Sequence, residues 1–329
     1  MKKMIAMILA LVMTLSLAAC GSSAPAATEA APAAETFKVA IIQQLDHSSL
    51  DEIRTAIETQ LKALAAEKGV SIEISYDNGQ NDTSMLTQIA TQVVADKVDM
   101  IIPIATLAAQ YSVLAAENTG IPVVYAAISD PEGAGLTGLP TVTGVSDALN
   151  TPFILDMMLA AQPDVKTVGL LYSTSEVNSE APIAEAKAYL DAKGIAYLEK
   201  TGTTSGEIVE AAASLVGRVE AVFTPTDNVV MAAEASVAEL LNADGIAHYT
   251  GADSFVQSGA FTTCGVNYTE LGTKVGDMAF EILNGGAIGE FVVVDGGIIT
   301  VNTVSAEACG IDYSVFNTMA NTVNAITVD

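Results

Sequence analysis

From Phe37 onward, short apolar runs alternate with longer stretches in which apolar side chains recur every three or four positions. The first run, "FKVAIIQ" at 37–43, is nearly continuous, as a strand covered on both faces should be. Ser48 and Ser49 then offer an N-cap, and Asp51 and Glu52 suit a first helical turn. Leu50, Ile53, Ile57, Leu61 and Leu64 keep helical spacing up to a stop at Gly69. The same alternation predicts strands over 72–76, 100–105, 123–128, 167–172, 195–199, 221–224 and 247–250, with helices between them. Pro152 fits a first helical position. Strands alternating with helices predict an α/β fold with parallel sheets covered on both sides.

The pattern also repeats. "VDMIIPIAT" (98–106) leads through a helix to "GIPVVYAAISD" (120–130), and "VEAVFTPTDN" (219–228) leads to "GIAHYTGAD" (245–253), offset by about 120 residues. "KVAIIQQLDHSS" (38–49) pairs in the same way with "KTVGLLYSTSEVNS" (166–179). Two similar doubly wound lobes are therefore expected. Ligands of such sheets sit beyond the carboxyl ends of the strands. Polar residues gather at those ends: Gln44, Asp46 and His47; Thr106; Ser129 and Asp130; Ser175 and Asn178; Asp227 and Asn228; Asp253 and Ser254. Singly these are ordinary turn and cap residues. As a set repeated in both halves, they predict one shared cleft.

The chain begins differently. A basic start (1–3), an apolar stretch at 4–17 too short to span a bilayer comfortably, and Leu17-Ala18-Ala19-Cys20 read as a bacterial lipobox. Residues 1–19 are expected to be a signal peptide, Cys20 the lipidated residue, and 20–36 a disordered Ala/Pro/Ser tether. The body would then sit outside the cytoplasmic membrane, held to it by lipid. Formal charge is −26, and without Lys2 and Lys3 it is 11 basic against 39 acidic residues, or −28. Such a surface repels nucleic acid and anionic headgroups. Cys264 and Cys309 are far apart, fit no metal-ligand spacing, and are expected to be free thiols.

No glycine-rich nucleotide loop, nucleophile elbow or histidine-rich metal motif is present. His248 lies in a strand-like run and reads as structural; His47, at a strand end, can touch a ligand. No catalytic residue, cofactor or metal is expected, and binding is the better reading.

The stretches "DMIIPIATLAAQ", "VVYAAISDPEGAGL", "VTGVSD", "GLLYSTSEVNS", "VFTPTDNVV" and "GVNYTELGTKVGDMAFEIL" together resemble the substrate-binding lipoproteins of ABC transporters. These have the type I periplasmic-binding-protein fold, and the resemblance is to the branch associated with tryptophan and other aromatic amino acids. It implies two lobes joined by three crossings, placed near Asp147, Val266 and Gly286. Lobe one would be 37–146 plus 267–285, lobe two 147–266 plus 286–312, and 313–329 a tail without a role. It also implies capture of a small amino acid and delivery to a permease with its ATPase. Gln44, His47, Thr106, Asp130, Ser146, Tyr172, Asn178, Asp227, Asp253 and Asn267 form the expected ligand set. Within it, Thr106 at a helix start suits the carboxylate, and Asp130, Asp227 and Asp253 stand unranked for the ammonium. Tyr172 and Tyr268 are available for an aromatic ring. The first strand ends Asp46-His47-Ser48, where the family has proline after the histidine. A sensor subunit, an extracellular enzyme, and a nucleoside or sugar binder are the competing functions.

Overall fold

The computed structural model describes residues 36–294 and 296–328. The expected signal peptide, Cys20 and nearly all of the expected tether lie outside the described residues. No helix among the described residues is long and apolar enough to cross a membrane.

Lobe one opens with β1 (Thr36–Gln43), α1 (Ser48–Lys68), β2 (Ser71–Asn78), α2 (Thr83–Ala95), β3 (Met100–Ile104), α3 (Thr106–Ala116), β4 (Val123–Ala126) and β5 (Val142–Ser146). Their order across the sheet is β2-β1-β3-β4-β5, all parallel. The central strands are buried along their whole length, which is why they read as unbroken apolar runs. In α1, Leu50, Ile53, Ile57 and Leu61 face the core, as their spacing predicts. The N-cap is His47, without a side-chain hydrogen bond, and not Ser48 or Ser49.

Lobe two follows with α4 (Thr151–Ala161), β6 (Thr167–Ser173), α5 (Glu180–Lys193), β7 (Ala196–Gly202), α6 (Ser205–Ala213), β8 (Ala221–Thr224), α7 (Asn228–Met231), α8 (Glu234–Ala243), β9 (Ala247–Thr250), α9 (Asp253–Gln257) and β10 (Thr262–Val266). Its order, β7-β6-β8-β9-β10, is that of lobe one. The chain then returns to lobe one as α10 (Tyr268–Leu283) and β11 (Val292–Val293), which pairs parallel to β5. Helix α10 lies against α1 so closely that a Cβ on Gly272 would stand 2.5 Å from the Ile53 carbonyl oxygen. Finally β12 (Gly296–Asn302), α11 (Thr303–Cys309) and β13 (Thr322–Ile326) complete lobe two.

Three expectations change here. The third crossing is not at Gly286: Val294 N–H still donates to Ser146 O in lobe one, and Gly296 opens β12 in lobe two. The second sheet is not wholly parallel. β10 leaves lobe two at Val266, and the chain re-enters beside that point, Val266 pairing with Gly296, so β12 must run antiparallel to β10. The tail from 313 is part of lobe two. Phe316 is fully buried against the Phe261 ring, and β13 extends the sheet from β12.

Candidate functional site

The carboxyl ends of the strands in both sheets face each other across the three crossings, and a cavity lies between them. Its lobe-one wall is His47, Ala105, Thr106, Ala127 and Ser129, and its lobe-two wall includes Asn178, Thr226, Asn228, Ser254 and Phe255. Asp147, on the first crossing, and Tyr268, which opens α10, close the hinge end. Ala105 and Ala127 follow β3 and β4 with φ of +73° and +57°. Backbone of that kind persists where surrounding structure holds it, often in ligand sites. Here it turns each chain sharply out of its strand into the cavity wall.

The lobes touch directly. Gln44 Nε2 donates to Glu176 Oε1 at 3.0 Å, the hydroxyls of Ser129 and Thr226 are 2.8 Å apart, and His47 Nε2 lies 3.4 Å from Asn228 Oδ1. Between these contacts about 30 Å³ remains, room for a water or two and not for an amino acid. Entry of a larger ligand therefore requires the lobes to part. Three wall atoms are buried without a partner: His47 Nδ1, Asn178 Oδ1 and Ser254 Oγ. A buried polar atom left unpaired costs free energy that a ligand can recover.

A larger cavity of about 500 Å³ lies behind the crossings, lined by residues such as Phe153, Cys264, Gly297 and Met319. It shares Asp147 and Tyr268 with the first cavity. The smaller cavity is the candidate site because the strand ends of both lobes converge on it, as the fold demands.

Of the sequence-derived set, His47, Thr106, Asn178 and Asp227 line the cavity. The others lie elsewhere. Gln44 is buried beside it, and its Oε1 accepts the Leu107 N–H, so a side chain of the protein occupies one donor at the start of α3. Asp130 accepts the Gly133 N–H within its own turn. Ser146 Oγ accepts from Ala148 N–H at the first crossing, and Asn267 caps α10 through Glu270 N–H. Tyr172 donates to Glu199 at 2.9 Å, away from the cavity. Asp253 lies against the hinge rather than in the cavity wall, and burial raises it to about 6.

Asp227 is in the wall but committed. Its Oδ1 accepts from Val229 N–H and Val230 N–H, and its Oδ2 from Ser173 N–H and the Ser179 hydroxyl. Desolvation nevertheless raises its pKa, because those four bonds do not match the hydration a carboxylate gives up. Glu176 was not anticipated. It is buried behind the wall, bonded to Gln44 and to Asn228 Nδ2 at 2.7 Å, and raised to about 8 by burial and then by Asp227. Asp147, Thr226 and Phe255 were likewise absent from the expected set. The strand-end rule selects polar residues near a turn but does not tell a carboxylate aimed into a cavity from one that caps its own loop. His248 is fully buried between Glu234 and Thr224. Cys264 and Cys309 are free thiols, each raised to about 11 by burial.

The profile of a family described as ABC transporter substrate binding protein matches residues 38–318. A tyrosine-binding protein of Clostridioides difficile (strain R20291) is 32% identical over 302 residues, covering 89% of this chain and 87% of that protein. A crystal structure from Streptococcus pneumoniae of an ABC domain in complex with L-Trp superposes with a TM-score of 0.81 at 29% identity, over 88% of this chain and all of that one. The ligand-free, open structure of a substrate-binding protein with adhesive properties from Clostridium difficile is 31% identical, with a TM-score of 0.67 over 89% of this chain and all of that one. The better fit to the complex, despite the lower identity, agrees with lobes that meet across the cavity. This chain, with two lobes of the type I periplasmic-binding fold around an interlobe cavity, belongs to the ABC transporter substrate-binding proteins.

Proposed function

We propose that the chain captures an aromatic amino acid between its lobes and passes it to a membrane permease driven by an ATPase. One observation carries the ligand class. Tyr268 and Phe255 bring two rings to a cavity whose remaining wall is mostly hydroxyls, amides and helix starts. An aromatic amino acid needs that combination: apolar faces for its ring and hydrogen-bonding groups for its charged end. Relatives named for tyrosine binding and solved with L-Trp support the same class. Outside the described residues, Cys20 in the Leu-Ala-Ala-Cys site is proposed as a lipid anchor holding the body at the outer face of the cytoplasmic membrane. Replacing it with Ser should release the protein from the membrane fraction; retention would remove the anchor.

The protein supplies its own assay, because it contains no Trp. Emission excited at the red edge of indole absorption then comes from added tryptophan alone. Capture should shift that emission to the blue and polarise it, and tyrosine or phenylalanine in excess should reverse the change. The melting temperature should climb with ligand concentration. If none of the three amino acids alters either signal, the ligand class is wrong.

A further inference from the structure

An amino acid brings an ammonium into the cleft, and that group must find acceptors there to offset its lost hydration. Most carboxylates near the cavity are already engaged. Asp130 turns into its own loop, and Asp253 is not part of the wall. Asp227 has four donors, and both oxygens of Glu176 are taken by Gln44 and Asn228.

Asp147 differs from all of these. It is buried and lines the cavity, and its one side-chain hydrogen bond comes from the Ser129 hydroxyl at 3.0 Å. Among the described residues no Lys or Arg lines the cavity and His47 is the one basic residue in its wall, which burial lowers to about 4. Desolvation raises the Asp147 carboxyl to about 6, as expected where negative charge is enclosed without a counter-charge. A second acceptor lines the same cavity. Asn178 Nδ2 donates to Thr226 O at 2.8 Å, which fixes the amide's orientation and leaves Oδ1 buried with no partner.

We infer that Asp147 and Asn178 Oδ1 together receive the ammonium of the captured amino acid. The inference rests on the proposed function and adds to it that the ligand's cationic end sits at the hinge, on the first crossing. The aromatic ring is then next to Tyr268, which shares that end of the cavity.

The test uses calorimetric titration of the mature protein with tryptophan and with 3-indolepropionate, which is tryptophan without its amino group. The wild type should bind 3-indolepropionate far more weakly than tryptophan. Asp147→Asn keeps the shape and a partner for Ser129, and should weaken tryptophan on the order of 100-fold while changing 3-indolepropionate by less than about threefold. Asn178→Ala should weaken tryptophan about tenfold, again without a matching effect on the deaminated probe. Equal affinity of the wild type for the two probes would overturn the assignment whether or not a variant folds. So would a near-normal tryptophan affinity in Asp147→Asn. A wild type that binds neither tryptophan, tyrosine nor phenylalanine would instead remove the aromatic reading, and the ammonium assignment with it.

Discussion

All six non-glycine residues with positive φ among the described residues, from Gln80 to Ala127, belong to lobe one. Lobe two has none, but it encloses Glu176, Asp227 and Glu234, each with almost no exposed surface. One strand order is thus finished in two ways. Lobe one shapes its face of the cleft with backbone turns such as Ala105, whose φ and ψ are +73° and 165°. Lobe two shapes its face with carboxylates that tie loops to strands. A repeated topology therefore does not carry repeated chemistry. Asp130 and Asp253 end corresponding segments of the repeat, yet one caps an exposed turn and the other is half-buried against the hinge.

The largest effect that would sharpen this contrast is at Asp227. Asp227→Ala leaves two helix-start N–H groups, Ser173 N–H and the Ser179 hydroxyl without their acceptor, and should cost about 3–5 kcal/mol of stability. Asp130→Ala in lobe one should cost less than about 1 kcal/mol. Urea denaturation of both variants compares them, and similar losses would break the contrast.

The fifth strands give the next comparison. A Cβ on Gly144 of β5 would stand 2.3 Å from the Tyr125 ring and carbonyl oxygen, whereas one on Gly265 of β10 would meet nothing nearer than 3.7 Å. Gly144→Ala should therefore cost about 3 kcal/mol and Gly265→Ala under about 1 kcal/mol. Paired melting curves test this, and a reversed order would contradict the packing described.

A third effect is electrostatic and is centred on lobe two. Glu176 ordinarily titrates at 4.5 and is raised to about 8 in the fold, so the folded chain keeps a proton that the unfolded chain releases. Its contribution is complete below about 4.5 and is lost as pH rises towards 8. Asp147 and Asp253 act with the same sign but only up to about 6, and His47 acts with the opposite sign between 6.5 and about 4. From pH 6.5 to 8 the wild type should lose up to about 2 kcal/mol through Glu176. Glu176→Gln should flatten that slope in a pH series of urea midpoints; an unaltered slope would place its origin elsewhere.

The smallest effect returns to lobe one. Ala105→Gly relieves a backbone geometry that an L side chain rarely adopts and should leave stability level or raise it by up to about 1 kcal/mol. A substitution to glycine that destabilised the protein would show that the turn is unstrained.

Much of this was legible in the chain. The strands at β3, β4 and β8 are nearly continuous apolar runs, and α1 keeps its stripe from Leu50 to Leu61. The fifth strands were not legible. "VTGVS" and "TTCGV" contain little large apolar surface, and their burial comes from neighbours on either side. β12 and β13 escaped notice because their partners are set by where the chain re-enters lobe two, a non-local fact. In the site, His47, Thr106 and Asn178 were found because strand ends in this architecture point at the ligand. Asp130 was included by the same rule and Tyr172 for its ring, and both point elsewhere, since neither position along a strand nor residue type gives the direction of a side chain.

Periodicity, a local property, and the internal repeat, visible in the chain without any contact, determined by themselves that two α/β lobes form and that a cleft lies beyond their strands. The roles of the carboxylates were decided only by tertiary structure. Asp227 and Asp147 are alike as residues and line the same cavity. Asp227 is reached by four donors from β6, the N-cap of α5 and α7, while Asp147, on a hinge crossing, is reached by one hydroxyl. Which donors arrive depends on segments up to 54 residues away in the chain, and no pattern of neighbouring residues encodes that.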